Sequence, residues 1–263
     1  MFIDTHTHLQ HHRFQTEEPA VTAEFLLEEA RKANVTQLIT IACRREEWTP
    51  ALQLAVQHPK QLAVAVGMHP QDVAEDAPVI TPDELCELAQ NPHVVALGET
   101  GLDYFYQTTP RDMQAQSFHN HLLAAKQCGL PVVIHTRDAE EDTVNILKQH
   151  PGTPFVLHCF TGTPWLAGQG IDLGGYVSFS GILTFKKSQE LRDIAASLPR
   201  DKVLIETDAP YLAPEPFRSK RNASFYLPHT AQVLANVWQT SVEDVAHITT
   251  TNARRLFSRL PLV

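Results

Sequence analysis

Two histidines one residue apart, in Asp4-Thr5-His6-Thr7-His8, open a series of metal-capable side chains that recurs down the chain. Side chains two apart share a strand face, so His6 and His8 project together, with Asp4 below them. Gly98-Glu99-Thr100-Gly101-Leu102-Asp103 adds a carboxylate between two glycines. VVIHTRDA puts His135 and Arg137 on one face, FVLHCFTG supplies His158, and LIETDAPYLAP puts Glu206 and Asp208 together. Each piece alone is weak. A lone strand-end histidine is more often a hydrogen-bonded core residue, and a glutamate after a strand can cap the next segment. Taken jointly, four imidazoles and two carboxylates exceed what one tetrahedral zinc needs. They suit two divalent ions bridged by a carboxylate and by water: Zn, Mn, Fe or Co, or Mg with waters completing its shell. Such a pair acidifies the bridging water and clamps attacking and leaving oxygens. Asp208 is placed to bind metal and to take a proton, and Arg137 to neutralise an anionic substrate oxygen.

These groups need elements that bring them to one rim. Short apolar runs predict strands at Phe2–Thr5, Gln37–Ala42, Leu62–Gly67, Val94–Gly98, Val132–His135, Phe155–His158, Tyr176–Phe179 and Val203–Glu206. Amphipathic stretches predict helices over 21–33, 46–58, 82–90, 113–128, 139–149, 164–170, 187–198, 229–239 and 242–257. Asn34 is expected to end the first helix in a left-handed turn, Gly129 before Leu130-Pro131 to end the fourth, and Ser241 with Asp244 resembles a capping box. Pro-containing segments at 69–82 and 209–228 read as loops. Eight strand–helix units in 263 residues predict a single-domain distorted (β/α)8 TIM barrel, an α/β fold whose sites sit at the carboxyl ends of the strands. The competing doubly wound sheet lacks a GxGxxG or GxxxxGK[ST] after its first strand.

Composition narrows the function classes. With 21 Lys+Arg against 30 Asp+Glu, the formal charge of −9 argues against a protein that coats nucleic acid with a broad positive surface. No apolar run approaches the ~20 residues of a membrane span, and no secretory signal is visible. The four cysteines form no CxxC pair and fit reduced thiols, so a cytoplasmic location is expected.

The set DTHTHL, GETGLD, LPVVIHTRDA, LHCFTG and IETDAPYLAP resembles the TatD-type metal-dependent hydrolases, commonly described as deoxyribonucleases, in the amidohydrolase superfamily. The resemblance runs from Ile3 to about Phe257. It implies a two-metal site with His6, His8, Glu99, His135, His158 and Asp208 as ligands and Glu99 as the bridge. It also implies two divalent ions (Mg, Mn or Zn) and hydrolysis of DNA phosphodiester bonds, often exonucleolytic. Two features depart from the family pattern. Arg221-Asn222-Ala223-Ser224 stands where an Arg-Asn-Glu-Pro run is common, and His121 stands where Gln is common.

Outside the proposed ligands, His69 in GMHP is read as a support of the ligands or a substrate contact, Arg221 as a candidate substrate contact, and Asp4 and Glu206 as candidate supports of the ligands. Cys159 is expected to point away from His158 and pack. Most other histidines are read as surface or packing residues, with His11 and His12 in the first rim loop. Ten of the 21 basic residues fall in predicted rim loops: Arg13, Arg44, Arg45, Arg111, Arg137, Lys186, Lys187, Arg218, Lys220 and Arg221. They predict a locally positive mouth on an acidic body. Tyr104, Phe105 and Tyr106 are read either as a base-stacking surface or as a hydrophobic lid. The expected partner is DNA or another phosphodiester, with no membrane and a monomeric chain. The alternative keeps the metals and changes the bond to an ester or amide, including the ester of an aminoacyl-tRNA. A non-catalytic metal-dependent scaffold is the third reading.

Overall fold

Eight parallel strands run in the order of the chain, β1 beside β2 through to β8. The computed structural model describes residues 1–73, 79–106 and 108–262. The strands are β1 (Phe2–Thr7), β2 (Val35–Ala42), β3 (Leu62–Val66), β4 (Val94–Asp103), β5 (Val132–Arg137), β6 (Phe155–Leu157), β7 (Tyr176–Phe179) and β8 (Val203–Ile205). Helices cover the outside: α1 (Arg13–Thr16), α2 (Ala23–Lys32), α3 (Arg45–Gln57), α4 (Pro82–Leu88), α5 (Arg111–Cys128), α6 (Glu140–Gln149), α7 (Pro164–Asp172), α8 (Gln189–Ser197), α9 (Leu227–Trp238) and α10 (Val242–Leu256). The ring is nearly closed. Between β8 and β1 a single bridge joins Thr7 to Ala209, and the Asp208 N–H donates to the His6 carbonyl at 2.9 Å. This is the distorted TIM barrel that the element arithmetic predicts.

Two apolar layers hold it. Alternate strand residues, among them Ile3, Ile39, Ile41, Ala63, Ala65 and Val133, fill the interior with Leu256, Phe257 and Leu260 from the chain's end. The opposite strand faces, with Leu38, Val64, Leu97 and Ile134, pack against helix residues such as Leu27, Phe118 and Leu234. Local signals set the boundaries. Thr81 and Glu84 form a capping box on α4, and Ser241 with Asp244 forms one on α10, as expected. Gly129 ends α5 in the left-handed region at φ 65°, and Asn34 follows α2 at φ 63°.

Several predicted boundaries shift. β4 extends five residues past Gly98, β1 reaches Thr7 and β5 reaches Arg137, whereas β6 and β8 stop one residue before His158 and Glu206. The short helix α1 is not signalled by periodicity. The predicted 69–82 loop contains a single 3-10 turn at Pro70–Asp72; its residues 74–78 lie outside the described residues. The 209–228 loop holds another at Ser224–Tyr226, before α9 starts at Leu227. All four cysteines are free thiols, with the Cys86 and Cys128 sulfurs 3.0 Å apart between α4 and α5.

Candidate metal centre

β1 presents His6, and His8 follows one residue past the strand's end; both are buried. His6 Nε2 and His8 Nε2 lie 3.3 Å apart. Asp208 Oδ1 lies 3.6 Å from His6 Nε2 and 3.4 Å from His8 Nε2, and Glu99 Oε2 lies 3.4 Å from His6 Nε2. His6, His8 and Asp208 at this mutual spacing match three corners of a tetrahedron around one ion, whose edges are roughly 3.3 Å for the usual zinc–nitrogen and zinc–oxygen bonds, and Glu99 stands on the His6 side. The other oxygen of Glu99 faces a different group. Glu99 Oε1 lies 2.7 Å from His158 Nε2, 3.1 Å from His135 Nδ1 and 3.5 Å from His69 Nε2. The residues present therefore fit a metal site, with Glu99 common to two donor groups. His6, His8 and Glu99 form one compact donor group, and His69, Glu99 and His135 another.

Glu99 reaches this position through a bulge. Gly98 pairs with Val133 and Thr100 with Ile134, so Glu99 is the extra residue in β4. Gly98 has φ 128°, and a Cβ there would meet the Val133 carbonyl oxygen at 2.5 Å. Asp208 sits just past β8 in the left-handed region, φ 56°, which a short acidic side chain tolerates.

The electrostatics follow from burial set against close opposite charge. Burial opposes the charge of Glu99, yet His158, His69 and His135 hold its carboxyl well below the usual range. Asp208 is likewise buried and lowered, by His8 and His6. Despite burial, Glu99 and Glu206 hold His158 well above its ordinary value, and Asp103 and Glu99 raise His135. Burial drives His69 down to about 3. Without a cation, buried donors this close depend on shared protons.

Supporting residues differ partly from expectation. Glu206 Oε1 accepts the Cys159 N–H at 2.6 Å and lies 3.3 Å from His158 Nδ1, so it orients that ring. Asp4 does not orient an imidazole. Its carboxyl accepts the N–H and hydroxyl of Thr207, at 2.9 and 2.6 Å, and fixes the turn before Asp208; burial raises it to about 7. His6 Nδ1 is buried without a hydrogen-bond partner among the described residues. Asp103, to which the sequence reading gave no role, lies 3.0 Å from His135 Nε2 and accepts Gln71 at 2.8 Å. Its signal was present, since residues 99, 101 and 103 share a strand face. His69 lines the cavity and faces Glu99 and His135.

A cavity of about 600 Å³ opens above these groups, lined by Arg44, Tyr106, Arg137, Cys159 and Tyr211 among others. Cys159 was expected to pack away. It lines the cavity because β6 ends at Leu157 and Cys159 adopts φ 41°, which breaks the alternation. Arg221 is not at the cavity: its guanidinium donates to the carbonyls of Arg13, Glu17 and Pro19, which fastens the first loop. Of the ten predicted rim cations, Arg44 and Arg137 line the cavity, among the described residues. Several of the others are engaged elsewhere, for example Arg45 with Glu84 and Arg218 over the Phe185 ring. His121 is fully buried. Its Nε2 accepts the Met68 N–H at 3.2 Å, and its Nδ1, 2.7 Å from the Ser117 carbonyl, also lies 3.2 Å from the Thr100 hydroxyl next to Glu99.

A parallel barrel carrying a histidine–carboxylate cluster at the carboxyl ends of its strands defines the class of metal-dependent hydrolases. Residues 3–258 match the family described as TatD related DNase. An uncharacterized metal-dependent hydrolase of Bacillus subtilis, YabD, is 36% identical over 262 residues, 98% of this chain and 99% of that protein. The 3'-5' ssDNA/RNA exonuclease TatD of Erwinia tasmaniensis is 36% identical over 242 residues, 89% of this chain and 92% of that protein. The crystal structure of YJJV, a TatD homolog from Escherichia coli K12, superposes with a TM-score of 0.87 at 29% identity, covering 98% of both chains. The chain belongs to the TatD-related DNase family and is a metal-dependent hydrolase. No helix among the described residues is long and apolar enough to cross a membrane.

Proposed function

We propose that this hydrolase cleaves phosphodiester bonds in DNA, from a strand end, with two divalent ions shared by Glu99. The observation that carries the reading is the division of Glu99, one oxygen toward His6 and the other toward His135 and His158, beneath a cavity that also holds Arg137. His6, His8, Asp208 and Glu99 Oε2 would hold one ion, and His135, His158 and Glu99 Oε1 the other, with His69 beside it. Once bound, Mg, Mn or Zn ions supply an acidified water and positive charge toward the phosphoryl oxygens. Asp208 takes the proton of the attacking water, a task that suits a carboxylate kept ionised against burial by His8 and His6. Arg137 neutralises a non-bridging phosphate oxygen, which a planar guanidinium can do bidentately. Glu206 and Asp103 hold the His158 and His135 rings in register. The exonuclease name of the Erwinia relative supports the same bond class.

A panel of single-stranded DNA, RNA, nucleotide esters and acyl esters at matched metal tests the bond. Turnover of the phosphodiesters is expected. Turnover of acyl or aminoacyl esters with DNA left intact would favour the ester-hydrolase alternative instead.

A further inference from the structure

Three exposed aromatic rings stand at the mouth of the cavity, and the hydrolytic chemistry uses none of them. Phe105 and Tyr106 are 52% and 54% exposed, and Tyr211 is 40% exposed. Phe105 and Tyr106 follow β4, whereas Tyr211 follows β8, four strands around an eight-stranded ring, so they stand on opposite sides of the opening. Each side is braced. Phe105 and Tyr106 meet edge to face at 4.9 Å, and the Arg137 guanidinium lies 3.7 and 5.0 Å from their ring centres. On the other side the Tyr211 hydroxyl lies 2.9 Å from His11 Nε2, and the two rings meet at 74°. Tyr106, Arg137 and Tyr211 all line the cavity that contains Glu99 and Asp208.

Arg13 lies over the Tyr211 ring at 5.4 Å, as Arg137 does over Phe105, yet about half of each ring's surface stays in water and can be buried by a ligand. The ligand must be flat on both sides of an anionic centre, because Arg137 and the metal-capable cluster occupy the space between the two aromatic walls. A cavity of about 600 Å³ also exceeds what a phosphate and two ions would fill. Nucleobases on either side of a phosphate meet these conditions. In a duplex their faces are already stacked, so only an unpaired strand offers them.

We propose that Tyr106 and Tyr211 are the base-stacking walls of the site, one on each side of the bound phosphate, and that they select an unpaired strand end without reading its sequence. The inference rests on the phosphodiester reading above and adds the residues that discriminate single from double strands. Stacking tolerates any base because every base has a π-face.

The test uses metal-loaded protein and a phosphorothioate-linked oligonucleotide, which resists cleavage, carrying 2-aminopurine at its terminal positions. Stacking quenches 2-aminopurine. Wild-type protein is expected to quench it, Tyr106→Ala and Tyr211→Ala to restore the fluorescence, and Tyr106→Trp to quench again. On cleavable single-stranded DNA each alanine variant raises KM about 10-fold, the loss expected for one stacked base, and changes kcat less. It also lowers the preference for single over double strands. Far-UV circular dichroism checks that both variants fold. Wild-type quenching and KM in both alanine variants would overturn the proposal while leaving the phosphodiester reading intact, and so would a wild type that cleaves DNA without quenching. Quenching by a wild type that cleaves no phosphodiester with any metal would overturn that reading and leave the stacking walls standing.

Discussion

The two oxygens of Glu99 face different histidines, and this one side chain couples the whole cluster. In the metal-free protein its negative charge is balanced by imidazoles that retain protons: Glu99 and Glu206 raise His158, and Asp103 and Glu99 raise His135, both against burial. A ligand imidazole must be neutral, so metal must displace these protons. Metal binding is therefore expected to release protons and to weaken as pH falls. Calorimetric titration in buffers of different ionisation enthalpy checks it; binding enthalpies independent of the buffer would contradict it. At this scale the sequence was informative where chemistry follows strand period. His6 and His8, and His135 with Arg137, share faces that alternation predicts. It was uninformative where a side chain's partner lies on a distant loop. Nothing near Asp4 announces Thr207, and nothing near Arg221 announces three carbonyls in the first loop.

Elements set the positions of these residues through irregularities rather than through regular strand. The β4 bulge aims Glu99, and the left-handed residues Cys159 and Asp208 turn the chain after β6 and β8. A pattern of apolar runs locates strands but not where they bulge or stop. That is why all eight strands were legible while β4 was expected to end at Gly98 and β6 to include His158. Arg221 belongs to this scale as a clamp between the last loop and the first. Losing its charged hydrogen bonds should cost about 2 kcal/mol. Arg221→Ala is thus expected to lower Tm by roughly 4–8 °C in a chain of this size. Calorimetry of wild type and variant decides; an unchanged Tm with a large rise in KM for oligonucleotides would return Arg221 to substrate binding.

For the whole molecule, the formal charge of −9 and the barrel mouth tell different stories. Acidity excludes a protein that coats a duplex, yet the cavity presents Arg44 and Arg137 to an anion. The sequence placed ten cations near the rim but could not reveal which would find carboxylates, rings or carbonyls first. Arg44 itself is paired with Asp72 at 2.9 Å. With at most these two arginines facing phosphate, the salt dependence is shallow: the logarithm of oligonucleotide affinity should fall against the logarithm of salt with a slope no steeper than roughly −1.4. A slope several times steeper would mean that a wider basic surface collects the strand.

Hydrolysis of phosphodiesters at a strand end is the activity proposed for the Glu99-centred cluster. It meets its most direct test in metal-reconstituted protein acting on single-stranded DNA labelled at its 5' or 3' end. The account predicts stepwise shortening from one end with Mg, Mn or Zn, abolished in Asp208→Ala that still folds. DNA left intact with every divalent metal, or full activity in Asp208→Ala, would contradict it.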